Sequence, residues 1–369
     1  MIDNRIGILF NSSMLFRLTR GRSQHESIHN YEEAACRHHL QPVYFRLEDI
    51  NLRTMMVRAY VRKGSHYIRR RIPLPQVIHN RAIYKNSSLQ AKLRTLTSRP
   101  VQIFNQVNRY GKLKIHEILM QDSCLAPHLP ETMMATINHI PQMMSRHHSL
   151  ILKPDNSSVG KGIMKIERTE YGWQAEYSIR TKKGKRVWRR STGSGERLPQ
   201  AVRTQLNTKK YLVQETLPLA SYQGRPFDLR VSVQRDGSGT WQVTGIVGKV
   251  APSHTFVTNV AQGGHVVPFE QIAASTYPEI PFSFLTERIT AFALRVADRL
   301  SSTLPHMADL GLDIGLSSDG TPLFIECNGR DQRYSFLEAK LTETWKATYE
   351  NPIAYGACLL SRSSRFISS

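Results

Sequence analysis

The chain has 369 residues, 40% of them hydrophobic and 21% charged, and its 50 Lys+Arg against 29 Asp+Glu give a formal net charge of +21. That length can bury a sizeable core and suggests two or three domains, in a soluble globular protein. No run approaches the roughly 18 apolar residues of a membrane span, and the opening MIDNRIGILF lacks the features of a signal peptide, so a cytoplasmic protein is expected.

In chain order, RIGILF reads as a strand, residues 26–39 as a helix and PVYFRL, from Pro42, as a second strand: a β-α-β opening that suits an α/β domain. RKGSHYIRRR, 62–71, concentrates positive charge, and PLPQVIHNRA leads into a further strand. KLKIHEILMQ, 112–121, is helix-like; SLILKP and GIMKIE are strands around a small-residue segment, and YLVQETLPLA reads as a strand ending at Pro218. DLRVSVQ and TWQVTGIVGKV alternate with period two around RDGSG and form a hairpin, and 287–300 has helical spacing. The class is α+β or α/β.

Cys36, Cys124, Cys327 and Cys358 lie far apart without a C-x-x-C pair, and His116-Glu117 is followed by Met120 where H-E-x-x-H needs its second histidine. Neither a disulfide framework nor a zinc site is indicated. The positive charge favours polyanionic partners, acidic substrates or negatively charged surfaces. It is dense in 180–210, where Trp188 stands among basic residues and suits stacking on a nucleic acid. No recognised nucleic-acid motif accompanies it, and a solvated basic face is the default.

The segment LDIGLSSDGTPLFIECN, 312–328, carries the chemistry. With Asp319-Gly320 as a two-residue turn, Ser318 faces Thr321 and Asp313 falls opposite Glu326, with Cβ atoms about 5 Å apart. Asn328 shares that face, while Leu312, Ile314, Leu316, Leu323, Ile325 and Cys327 form the apolar one. Adjacent carboxylates beside an amide suit Mg²⁺ shared with a nucleotide's phosphates; a solvent-facing acidic pair is the alternative.

Upstream, ILKPDNSSVGKGIMKIE, 151–167, fails the P-loop pattern, with Asp155 where the first glycine belongs and Gly162 in place of Ser/Thr. What remains is Lys153 on a strand, then Ser157, Ser158, Gly160 and Gly162. Such a lid can close backbone N–H groups over phosphates; a plain glycine hairpin is the alternative.

Seven fragments in order resemble the YheC/YheD family of endospore coat-associated proteins in the ATP-grasp superfamily: IPLPQVIHNR, FNQVNRYGKLKIHEIL with LPET, ILKPDNSSVGKGI, YLVQETLPL, FDLRVSVQRDGSGTWQVTGIVGKV, TNVAQGGHV and DIGLSSDGTPLFIECN. The resemblance implies an ATP-grasp fold, with an N-terminal α/β domain over 1–108, a small lobe with the lid over 109–218 and a large lobe with the metal site and a C-terminal helix over 219–369.

It further implies Lys112 and Lys153 as ATP-phosphate lysines, 157–162 as the lid, and Gln214, Glu215 and Leu217 as the adenine hinge. Arg230, Lys249 and Asn259 lie near the transferred phosphate, and Asp313, Glu326 and Asn328 are the metal ligands. ATP and Mg²⁺, with Mn²⁺ an alternative, are the implied cofactors. The implied activity joins a small-molecule or peptide carboxylate to an amine or thiol through an acylphosphate, on a substrate that the net charge suggests is polyanionic. Three features depart from the superfamily: Lys249 in place of arginine, Val257 where related ligases often have arginine, and GRDQR after Asn328 in place of Pro-Gly. A non-catalytic spore protein and a basic nucleic-acid binder are the competing readings.

Overall fold

RIGIL buries Ile6, Ile8 and Leu9 completely, as a strand with a parallel neighbour on each side must. The computed structural model describes residues 4–367 except 19, 21–25, 137, 158–159, 182–185, 196 and 254. In it Arg5–Leu9 runs parallel to Gln41–Phe45 on one side and Val77–Asn80 on the other, and Gln102–Phe104 extends the sheet. Helix Ile28–Arg37 forms the expected crossover. The Ser27 side chain caps it by accepting from the Asn30 N–H, and Tyr31, Ala34 and Ala35 pack on the sheet. The basic 62–71 stretch becomes the tip and second strand of the hairpin Met56–Lys63/His66–Pro73 at the sheet's edge. Exposed arginines there discourage edge-to-edge pairing.

A second, antiparallel sheet has the order Arg186–Ser194, Gly172–Arg180, Met164–Thr169, Ser149–Pro154, Tyr211–Glu215 and Thr132–Met134. Helices His139–Arg146 and Gln200–Leu206 cover one face, over Leu150, Leu152, Ile166 and Val213. Strict alternation in Ser149–Pro154 buries Leu150, Leu152 and Pro154 and turns Ile151 and Lys153 to the other face.

The third sheet runs His265–Pro268, Trp241–Val250, Arg225–Arg235, Asp309–Leu316 and Pro322–Asn328. Helix Phe282–Ser301 lays Leu285, Ile289, Phe292, Val296 and Leu300 across it at helical spacing.

The final hairpin departs from the predicted turn. Gly320 N donates to Ser317 O and Ser317 N to Thr321 O, both at 3.0 Å, which makes a three-residue loop of 318–320 with Gly320 at φ +74. The strands therefore start one residue out of the predicted register: Leu316 pairs with Pro322 and Ile314 with Phe324. A bulge after Asp313 absorbs Ile325 and restores Asp313 opposite Glu326. Phe324 joins the core in place of Leu323, and Ile325 lines the cleft described below.

The C-terminal helix Thr342–Ile367 returns to the first sheet, where Tyr349, Ile353 and Leu359 share a core with Ile6, Ile8 and Tyr31. A buried ionic cluster reinforces this junction. Asp309 Oδ2 accepts from Arg81 Nη1 (3.0 Å) and Arg333 Nη2 (2.6 Å), and its Oδ1 accepts from Gln234 Nε2 (2.9 Å). Arg81 also donates to the Asp331 carbonyl and pairs with Glu26. The GRDQR segment thus supplies Asp331 and Arg333, both fully buried, to the junction between the first and third sheets.

Candidate active site

A cleft of about 320 Å³ lies between the second and third sheets, lined by Lys153, Lys165 and Gly160 from one and Lys249, Asp313 and Glu326 from the other. Lys153 reaches it because of the period-two alternation of its strand. Burial pulls its pKa down to about 8 against the raising influence of Glu326, with Lys112 also lowering it.

Lys112 opens helix Lys112–Met120, and its Nζ stands 3.2 Å from Glu326 Oε1 while donating to the Ser157 carbonyl at 2.9 Å. The helix start is fixed by Asp155, whose Oδ1 accepts from Leu113 N at 3.1 Å. A carboxylate there satisfies an orphan N–H and complements the helix dipole, so the loop after strand Ser149–Pro154 and the Lys112 helix are tied together.

On the third sheet the paired strands converge on Asp313. Its Oδ1 accepts from Arg230 Nε and Lys249 Nζ, both at 2.9 Å, and Asn328 Nδ2 is 3.5 Å from its Oδ2. Lys249 pairs also with Asp228 at 2.7 Å, and Arg230 with Asp331 at 3.2 Å. Burial alone would raise the Asp313 pKa, but the Arg230 and Lys249 charges outweigh it and bring it to about 2. Asp313 and Asp331 together push the Arg230 pKa up despite burial.

The segment expected to be the lid contains glycines in close contact with their surroundings. Gly160 has φ +64, and a Cβ there would fall 2.1 Å from Gln262 Nε2 and 3.0 Å from Val257 Cγ1. Val257, where related ligases often have arginine, therefore packs beneath the lid. Gly160→Ala is expected to cost about 1–3 kcal/mol through left-handed strain and this collision, as chemical denaturation checks. Gly162, at φ +79, packs on Pro154 and Tyr211 outside the cleft lining. Ser157 donates from Oγ to the Lys161 carbonyl at 3.1 Å, whereas Ser158 lies outside the described residues.

At the other end of the cleft stand Gln214, Glu215 and Leu217, the segment expected to be the hinge; the strand ends at Glu215, three residues before Pro218. Gln214 Nε2 donates to Thr132 Oγ1 at 2.8 Å. The Glu215 carboxylate accepts from Glu131 N at 3.0 Å and lies 3.5 Å from His147 Nδ1, and the Glu215 N–H donates to the Glu131 carbonyl at 3.1 Å, so both groups are committed to the protein. Asn259 lines the same cleft.

The structure thus gathers Lys112, Lys153, Lys249, Asp313, Glu326 and Asn328 in one region. Arg230 sits behind them: it is 5% exposed, does not line the cleft, and clamps Asp313 from the side of Asp331. Asp228 and Asp331 were missed by sequence reasoning. Asp228 was findable, since it precedes Arg230 by two on a period-two strand and must share its face.

Among the described residues no three His, Cys, Asp or Glu side chains converge to hold a metal ion. Two carboxylates and the Asn328 amide oxygen are hard donors, too few to enclose a cation. Mg²⁺ is held in this incomplete way when phosphate oxygens and water finish its octahedron, so the donor set fits.

The model of the YheC/D like ATP-grasp family matches residues 100–359. The endospore coat-associated protein YheD of Bacillus subtilis (strain 168) is 22% identical over 326 residues, 86% of this chain and 70% of that protein. YheC of the same organism, also named endospore coat-associated, is 23% identical over 354 residues, 93% of this chain and 95% of its own. Among solved structures, the VanG D-Ala:D-Ser ligase from Enterococcus faecalis superposes with a TM-score of 0.54 at 11% identity, over 96% of this chain and 99% of that one, a likeness of fold. A family match over most of the chain, on a fold that places the Lys153 strand across a cleft from a carboxylate hairpin, shows that the chain belongs to the YheC/D-like ATP-grasp family.

Proposed function

We propose that the protein is an ATP- and Mg²⁺-dependent ligase that joins a carboxylate to an amine or thiol through an acylphosphate. The observation that carries this reading is the convergence of two lysines, Lys112 and Lys153, with Glu326 and Asp313 across one cleft. A lysine from the second sheet and one from a helix start, facing hard oxygen donors on the third sheet, are what a Mg²⁺-bound triphosphate needs.

In this reading the lobes meet between residues 109–218 and 219–369, and Gln214 to Leu217 hold the base through backbone groups. Lys153 and Lys112 face the phosphates, and Glu326, Asn328 and Asp313 hold the metal. Mg²⁺, when bound, neutralises phosphate charge and aligns the γ-phosphate. Lys153 lies in a partly buried site where its charge is felt strongly. Lys249 is positioned by Asp228, and Arg230 keeps Asp313 ionised and oriented, which makes Arg230 a positioning residue.

The substrate carboxylate oxygen attacks the γ-phosphorus and ADP leaves. The nucleophile then bonds to the acyl carbon, the carbon–oxygen bond to phosphate breaks, and the nucleophile's proton passes to solvent. No protein nucleophile is required. The net charge of +21 supports a polyanionic acceptor such as an acidic peptide, and the relatives' names extend the reading to the endospore coat.

ATP with Mg²⁺ is expected to raise the melting temperature, by the equivalent of about 2.7 kcal/mol at a hundredfold excess over Kd, and Glu326→Ala to remove most of the rise. No shift with either ATP or ADP across a range of Mg²⁺ concentrations defeats the reading.

A further inference from the structure

A smaller cavity, about 80 Å³, abuts the cleft, and Gln214, Ile325 and Glu326 line both. Its other walls come from Asn108, Arg109 and Tyr110, from His116 on helix Lys112–Met120, and from Asn328 to Arg330. Two features mark it as a binding site.

The first is charge. Arg109 and Arg330 both line the cavity, and among the described residues neither makes an ion pair. Arg330 donates from Nη1 to the Arg81 carbonyl at 3.3 Å. Glu326, the carboxylate lining this cavity, is engaged by Lys112.

The second is a set of polar atoms left over. Asn108 Oδ1, Tyr110 Oη, His116 Nδ1 and Gln214 Oε1 are buried with no hydrogen-bond partner among the described residues, and all four residues line this cavity. Asn108 and His116 are only 7% and 8% exposed. Each such atom costs about 1–3 kcal/mol unless something pairs with it. Asn108 Nδ2 donates to the Asn80 and Ala82 carbonyls at 2.7 and 2.9 Å, which leaves Oδ1 as an acceptor in want of a donor. Burial lowers the His116 pKa to about 4, so its imidazole is neutral and adds no further charge.

We propose that this cavity binds the acceptor substrate by a carboxylate end clamped between Arg109 and Arg330, with an N–H of the same molecule donating to Asn108 Oδ1. The inference rests on the ligase reading and adds the substrate class, a carboxylate-bearing amine of amino-acid or peptide type. Guanidinium forks match a carboxylate in shape as well as charge. The shared wall at Glu326 puts the bound molecule next to the phosphate region of the cleft.

Saturation-transfer NMR with diglycine as probe and diglycinamide as its counterpart without the carboxylate tests this. The wild type is expected to transfer saturation to diglycine and not to diglycinamide. Arg330→Lys and Arg109→Gln should each lose the diglycine signal while ATP with Mg²⁺ still raises their melting temperatures as in the wild type, which shows them folded. Equal signals from both probes, no diglycine signal in the wild type, signal retained in both variants, or displacement of diglycine by equimolar inorganic phosphate overturns the proposal. A wild type that binds diglycine but shows no ATP-induced shift overturns the ligase reading alone.

Discussion

Lys153→Met is expected to lower ATP-dependent turnover by about 10²–10³-fold, the usual loss when one preorganised donor to a developing charge is removed from a secluded site. The substitution keeps the aliphatic stem beside the cross-strand neighbour Leu212, and its melting temperature should stay close to that of the wild type. A pH signature separates an electrostatic role from a structural one. With a pKa of about 8, Lys153 in the free protein loses its charge as pH rises through 8. Between there and its ordinary 10.5 the unfolded chain binds more protons than the folded one, so this group's contribution to stability rises with pH across that window. A bound polyphosphate restores the charge. Nucleotide binding at about pH 9 should therefore take up a proton in the wild type and not in Lys153→Met, read from the dependence of calorimetric heats on buffer ionisation enthalpy. Equal proton uptake by the two would show that Lys153 does not face the phosphates.

Asp309→Ala is expected to be the most destabilising single change, at about 3–5 kcal/mol, because it strands Arg81 and Arg333 as buried cations without their shared carboxylate. Against a typical total of about 5–15 kcal/mol this brings the chain near its unfolding threshold. Asp309→Asn, which retains one acceptor, should lose less. Urea midpoints measure both, and a loss under about 1 kcal/mol for Asp309→Ala would show that the cluster does not hold the first and third sheets together. The effect has a pH limb. Burial would raise the Asp309 pKa, yet Arg333, His79 and Arg81 hold it far below the usual carboxylate range. Its stabilisation is fully present above the unfolded value near pH 4 and fades as pH falls toward the folded one.

The β-α-β opening, the Arg225–Arg235/Trp241–Val250 hairpin and the 287–300 part of helix Phe282–Ser301 were legible because each carries its own period. The pairing of Asp313 with Glu326 was also foreseen, but through a turn the protein does not use. A three-residue loop shifts the register by one, and the bulge at Ile325 shifts it back. Alternation alone could not reveal this, because it was the core beneath helix Phe282–Ser301 that took Phe324 in place of Leu323.

By itself, the sequence determined the elements, the strand faces that carry Lys153, Lys249, Asp313 and Glu326, and the order of motifs that marks the family. All of these follow from spacing along a single chain. Only the tertiary structure decided that Arg230 grips Asp313 and Asp331, which lie 83 and 101 positions away, and that GRDQR binds the first sheet to the third. The same holds for the C-terminal helix completing the N-terminal core and for Arg109 meeting Arg330 at one cavity. Such partnerships arise when distant segments bury charge together, and the cost of leaving a buried ion unpaired is set by the whole packed interior.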